Sequence, residues 1–158
     1  MTLETKVLGF LEAHREEIIE LAADLIRAPS PNPPGDEQAV VKVLTERLSR
    51  LGLPGQVVAK EPHRPNLLVL LPGREPGRRL IVSGHLDTKP PGDRQKWNTD
   101  PYTPTIINGR MYGLGATDMK GQVAAATYAL IALHAMSVPF CGELVLALSA
   151  DEECGSEY

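Results

Sequence analysis

Cysteine is scarce in this chain: Cys141 and Cys154 are the two present, so no disulfide framework is implied. Long apolar runs are missing as well. The best, Val145 to Ala150, is strand-sized and falls far short of a bilayer span. The first residues, Met1 to Arg15, carry acids early and no apolar stretch, which excludes a secretory signal there. Together these absences predict a cytosolic protein with no membrane partner. A basic face is also lacking. The net charge is -4 and the densest positive group, Arg74, Arg78 and Arg79, reads as a solvated turn, so nucleic acid is not an expected partner. No internal repeat or low-complexity tract occurs. What remains is 158 residues with 42% apolar and 23% charged side chains, the composition of one globular domain.

Periodicity divides that domain. Val7, Leu8, Leu11, Ile18, Ile19, Ala22, Leu25 and Ile26 recur at helical spacing and predict one helix ending by Ala28, because Pro29, Pro31, Pro33 and Pro34 cannot continue it. A second helix is expected after Gly35-Asp36, with Val40, Val41, Val43, Leu44, Leu48 and Leu51 on its apolar face and Gly52 past its end. Short runs at 56–59, 66–71 and 80–83 read as strands, the last apolar on both faces as a covered central strand should be. A long Pro/Gly/Asp-rich connection over 88–117 holds one expected hairpin, 105–107 with 111–112 around Asn108-Gly109. A helix over 121–135 and a buried strand over 143–150 complete an α/β layered domain.

Three places put charge where an apolar element ends. His85 and Asp87 follow the strand at 80–83. Side chains two apart share a face, so the carboxylate can accept the second imidazole N–H and fix the ring for metal binding. Gly113-Leu114-Gly115 runs into Asp118 and the helix. Asp118 replaces the third glycine of a dinucleotide fingerprint, and its charge would repel a pyrophosphate. Asp151-Glu152-Glu153 follows the strand at 143–150. Each has an ordinary reading by itself: a structural strand-end histidine, a helix N-cap, a solvated acidic turn. Jointly they place one imidazole, one carboxylate able to bridge and one further acid near the carboxyl ends of strands, a donor set suited to zinc, cobalt or manganese. The adjacent glutamate supplies a base.

These residues resemble the metallopeptidase family of acetylornithine deacetylase, succinyl-diaminopimelate desuccinylase, aminoacylase and glutamate carboxypeptidase. The resemblance is carried by Gly84-His85-Leu86-Asp87-Thr88, by Trp97 with Asp100-Pro101-Tyr102 and Pro104, and by residues 109–115. It continues through Thr117-Asp118-Met119-Lys120-Gly121 and Asp151-Glu152-Glu153, and the opening Leu25-Ile26-Arg27 with residues 29–36 shares it. It implies a zinc-exopeptidase-like α/β fold with a mixed central sheet flanked by helices. It further implies that His85 holds one of two divalent metal ions and Glu153 the other, with Asp118 bridging them about 3.5–4 Å apart. Asp87 would be the partner of His85. Glu152 would be the general base that takes a proton from water and delivers it to the leaving amine. A cis peptide after Asp118 is part of the pattern.

The chain departs from that family after Tyr158, before a further acidic ligand, a late histidine and an inserted domain that usually dimerises. It is therefore expected to be the N-terminal part of the catalytic domain, incomplete at its C-terminus, and inactive and marginally folded alone. The expected activity of the whole is deacylation of an N-acyl amino acid, with dipeptide or carboxypeptidase-type cleavage second. A truncated metal-binding module is a further alternative. A hydrolase using Cys154 is a weaker one, because the neighbouring acids raise a thiol's pKa. Trp97, Tyr102 and Arg110 are read as packing residues of the long connection.

Overall fold

The computed structural model describes residues 1–158. Its first helix, α1 (Leu3–Ala13), starts where Thr2 Oγ1 accepts the Thr5 N–H at 3.2 Å. The chain breaks at His14 and restarts as α2 (Arg15–Arg27), so the single helix expected over this stretch is two. The apolar spacing runs on through the break, which is why periodicity does not register it. Leu21, Ala23, Leu25 and Ile26 form the buried side of α2. After the proline-rich segment, α3 (Gln38–Arg50) buries Val40, Val41, Leu44 and Leu48, and Gly52 takes a positive φ of 75° beyond its end.

Four strands form the main sheet: β1 (Gln56–Ala59), β2 (Pro65–Pro72), β3 (Glu75–His85) and β6 (Cys141–Ser149), in the order β1-β2-β6-β3. β1 with β2 and β2 with β6 are antiparallel, and β6 with β3 is parallel, so the sheet is mixed. Between β3 and β6 lie the hairpin β4 (Thr105–Ile107) and β5 (Arg110–Tyr112), then α4 (Lys120–Ala135). Asn108 and Gly109 at the hairpin tip both have positive φ, as a two-residue turn of this kind needs.

Alternation decides which face is covered. Leu67, Val69 and Leu71 of β2 are buried, and with Leu146 and Leu148 of β6 they join the side chains of α2, α3 and α4 in one core cluster. β3 departs from the expected central strand: it lies at the sheet edge, with Leu80 60% and Ile81 56% exposed. Its apolar character on both faces is real, but Leu80, Ile81 and Val82 remain exposed. No helix is long and apolar enough to cross a membrane.

Candidate metal centre

The parallel pairing of β3 and β6 runs in register to His85 opposite Ser149, so both strands deliver their following residues to one edge of the sheet. His85 ends β3, Asp151-Glu152-Glu153 follows β6, and Asp118 lies two residues before α4. The structure brings His85, Asp118 and Glu153 together: one ligand atom from each lies within 4.8 Å of the others. His85 Nε2 is 3.0 Å from Asp118 Oδ1 and 3.9 Å from Glu152 Oε2. The Asp118 and Glu152 side chains are otherwise open to solvent, whereas His85 and Asp87 are buried. The Asp118–Met119 peptide is cis. An imidazole nitrogen and two carboxylates converging from a buried floor to an open rim fit a divalent cation of the zinc, cobalt or manganese type.

His85 is oriented differently from the sequence expectation. Its Nδ1 lies 3.0 Å from the backbone carbonyl of Asp87, while the Asp87 carboxylate oxygen is farther, at 3.5 Å. The carboxylate is engaged elsewhere. Its Oδ1 accepts the Glu152 N–H at 3.2 Å, and its Oδ2 accepts the Glu153 N–H at 3.0 Å and an Asn32 amide hydrogen at 2.8 Å. Asp87 thus ties the strand end that carries His85 to the turn that carries both glutamates. Hydrogen bonding to Asp87, opposed by burial and assisted by Asp118, raises the His85 pKa to about 9. Burial pushes Asp87 upward, but the bonds from His85, Asn32 and the Glu153 N–H outweigh it and lower the pKa to about 2.

Several residues at this edge carry no local sequence signal. Arg64 donates to Glu37 through Nε and Nη2, at 2.9 and 3.1 Å, and to Asp151 at 3.1 Å, all three being buried. Lys89 reaches the Glu153 carboxylate at 3.2 Å and also donates to its backbone carbonyl. Lys120 is buried and donates to the carbonyls of Leu25 and Ala28 at the end of α2, at 2.8 and 2.6 Å; burial lowers its pKa to about 7. Trp97 and Arg110 line a cavity of about 1080 Å³, together with Ile18, Ile19, Ala22 and Ile26 of α2. That cavity includes none of His85, Asp87, Asp118, Glu152 or Glu153. The Trp97 indole donates to the Pro91 carbonyl at 2.8 Å, and Arg94 lies over the Tyr102 ring. Cys154 is exposed beside the acids and has no imidazole bonded to it.

The family model for peptidase family M20/M25/M40 matches residues 81–158. N-formyl-4-amino-5-aminomethyl-2-methylpyrimidine deformylase of Halalkalibacterium halodurans is 31% identical over 156 residues, covering 95% of this chain and 36% of that protein. Succinyl-diaminopimelate desuccinylase of Bordetella pertussis is 36% identical over 137 residues, covering 86% of this chain and 35% of its own length. Human carnosine dipeptidase 1 superposes with a TM-score of 0.82 at 26% identity, over 99% of this chain and 36% of that one. The chain therefore spans about a third of the length of the curated relatives it matches.

Proposed function

Because the chain belongs, through residues 81–158, to peptidase family M20/M25/M40, we propose that it carries the metal-binding part of a hydrolase that cleaves an amide bond with water. The convergence of His85, Asp118 and Glu153, with Glu152 beside them, is the observation that carries this reading. Divalent ions held there, zinc in the first instance, supply Lewis acidity toward a carbonyl and lower the pKa of water toward about 7.

The residues divide the remaining work by position. Asp118 offers two carboxylate oxygens at an open rim, which suits it to bridge a pair of cations. Glu153, held through its N–H by Asp87, contributes to the second. Glu152 is exposed and 3.9 Å from the imidazole, free to accept a proton from water and to return it to the departing amine. Asp87 is the positioning residue for His85 and for both glutamates.

The proposed substrate is an N-acyl amino acid. Supporting this, the two relatives above are named for removing a succinyl and a formyl group. The second reading, dipeptide cleavage, is favoured by the likeness to carnosine dipeptidase 1. The cytosol is the proposed compartment, a choice supported by the two exposed, unpaired cysteines. Glu152→Ala in a full-length enzyme carrying this chain tests the assignment: turnover of an N-acyl amino acid is expected to vanish while metal content, measured by elemental analysis, stays unchanged. Loss of metal together with turnover would make Glu152 a ligand and exchange its role with Glu153. A metal-loaded full-length enzyme without amide hydrolysis would end the reading altogether.

A further inference from the structure

The proline-rich segment after α2 lies against the chain that carries His85 and Asp87. Ser30 Oγ donates to the Leu86 carbonyl at 2.7 Å, the Thr88 N–H donates to the Ser30 carbonyl, and the Asn32 N–H donates to the Thr88 carbonyl at 2.8 Å. Pro31 and Thr88 form a parallel bridge. This lacing fixes the backbone of Asn32, whose side chain is 2% exposed. Its amide nitrogen then donates twice, to Asp87 Oδ2 at 2.8 Å and to Asp151 Oδ1 at 2.8 Å.

Those two carboxylates therefore sit no farther apart than twice a hydrogen bond, and a neutral amide holds them there. Each controls part of the site. Asp87 receives the N–H groups of Glu152 and Glu153. Asp151, with a φ of 63°, turns the chain just before them and accepts the Gly155 and Ser156 N–H groups on its carbonyl and the Glu157 N–H on Oδ2. Arg64 Nη2 donates to the same Asp151 oxygen, Oδ1, while its fork is held by Glu37.

Resting on the metal-site reading above, we propose that Asn32 is a positioning residue: by clamping Asp87 to Asp151, with Arg64 on the same Asp151 oxygen, it sets the placement of Glu152 and Glu153 relative to His85. It touches no ligand atom of the site. Without the amide, two buried carboxylates face each other with fewer donors, and the glutamate turn keeps the Asp87 bonds to its N–H groups but loses the link through Asp151.

The test is a Co2+ titration of the metal-free protein followed by visible absorption, on the wild type and on Asn32→Ala, with circular dichroism as the check on folding. The expected result is a changed Co2+ spectrum and a dissociation constant raised by about 10–100-fold, the range for residues that orient metal ligands without binding the metal. A residue that only stabilised the fold would lower the melting temperature and leave the spectrum of the folded protein as in the wild type; that outcome overturns the proposal. Should Asn32→Ala not fold, Arg64→Lys carries the test, since it keeps the charge but cannot fork between Glu37 and Asp151. A shifted spectrum with weakened binding supports the clamp, and a wild-type spectrum and affinity overturn it. A wild type that takes up no Co2+ is a different result: it removes the metal-site reading itself and the clamp with it.

Discussion

Asp87 serves four partners at once, His85, Asn32 and the N–H groups of Glu152 and Glu153, and that makes the metal-free protein sensitive to pH in a definite direction. His85 is raised from 6.5 to about 9, so its contribution to stability is complete below 6.5 and is lost as pH rises through about 9. Asp87 is lowered from 3.8 to about 2, so its contribution is present above 3.8 and is lost as pH falls through about 2. With metal removed by a chelator, the stability contributed by this pair should therefore be greatest between about 3.8 and 6.5 and decline on either side, while Lys120, lowered from 10.5 to about 7, works in the opposite sense above 7. Asp87→Asn should shrink the decline between 6.5 and 9, read by circular dichroism melts across pH. An unaltered decline would mean that His85 draws its stabilisation from another group. The pairing of His85 with Asp87 was legible because two-residue spacing on a strand fixes a common face. The backbone carbonyl as acceptor was not, since which oxygen of Asp87 faces Nδ1 depends on donors that arrive from elsewhere. Asn32 is 55 positions away from Asp87 in sequence, and nothing local to either announces the contact.

Elements were legible where period and punctuation agreed, as for α3, β1 and the hairpin, and illegible where a break preserves the period. His14 interrupts α1 and α2 with a backbone at φ -104°, ψ 17°, yet the apolar residues on either side keep helical spacing. The burial of Lys120 has no local sign either: its ammonium donates to the Leu25 and Ala28 carbonyls at the end of α2, far away in sequence. The β3–β6 pairing depends on a glycine that pattern alone does not single out. Pairing shifts register between Glu75 and Arg79, and Gly142 opposite has a φ of +91°, with a Cβ there only 1.9 Å from the Arg78 carbonyl oxygen. Gly142→Ala combines a disfavoured backbone with a collision against main chain, and is expected to cost about 2–4 kcal/mol. Gly92→Ala is the control, because Gly92 has a φ of +64° but open space around it, and should cost about 1 kcal/mol. Denaturant unfolding of both measures the difference. Equal losses would show that the backbone around residue 142 yields and that the collision is relieved without cost.

The whole molecule presents one covered and one uncovered face. The register sets Leu70, Val145 and Ile81 in a row across the sheet on the side away from the helices, with Leu70 50% and Ile81 56% exposed. The next row toward the strand starts is polar, where Arg79 Nε donates to Glu143 at 2.7 Å. Leu80 and Val82 point to the helical side but lie beyond its reach, and β3 leaves one edge without a neighbour. A parallel pair with apolar residues on both faces is ordinarily covered on both. An edge of this length without charge along residues 80–82 is a template for pairing with another strand. An apolar run on both faces is the pattern of a central strand, but the spacing of residues cannot say whether the covering layers are supplied. In solution the 158-residue chain is therefore expected to associate with itself as concentration rises, seen as an increasing sedimentation coefficient. Ile81→Lys sets a charge in the middle of the apolar row and on the free edge, and should shift the population toward monomer. The substitution lies outside the core cluster, so the melting temperature should hardly move. A wild type that stays monomeric at every concentration would mean that twist and the neighbouring Arg79–Glu143 pair already guard this edge. Association that persists in Ile81→Lys would instead place the contact elsewhere, with the exposed Ile106 and Ile107 of the β4–β5 hairpin as the next surface to charge.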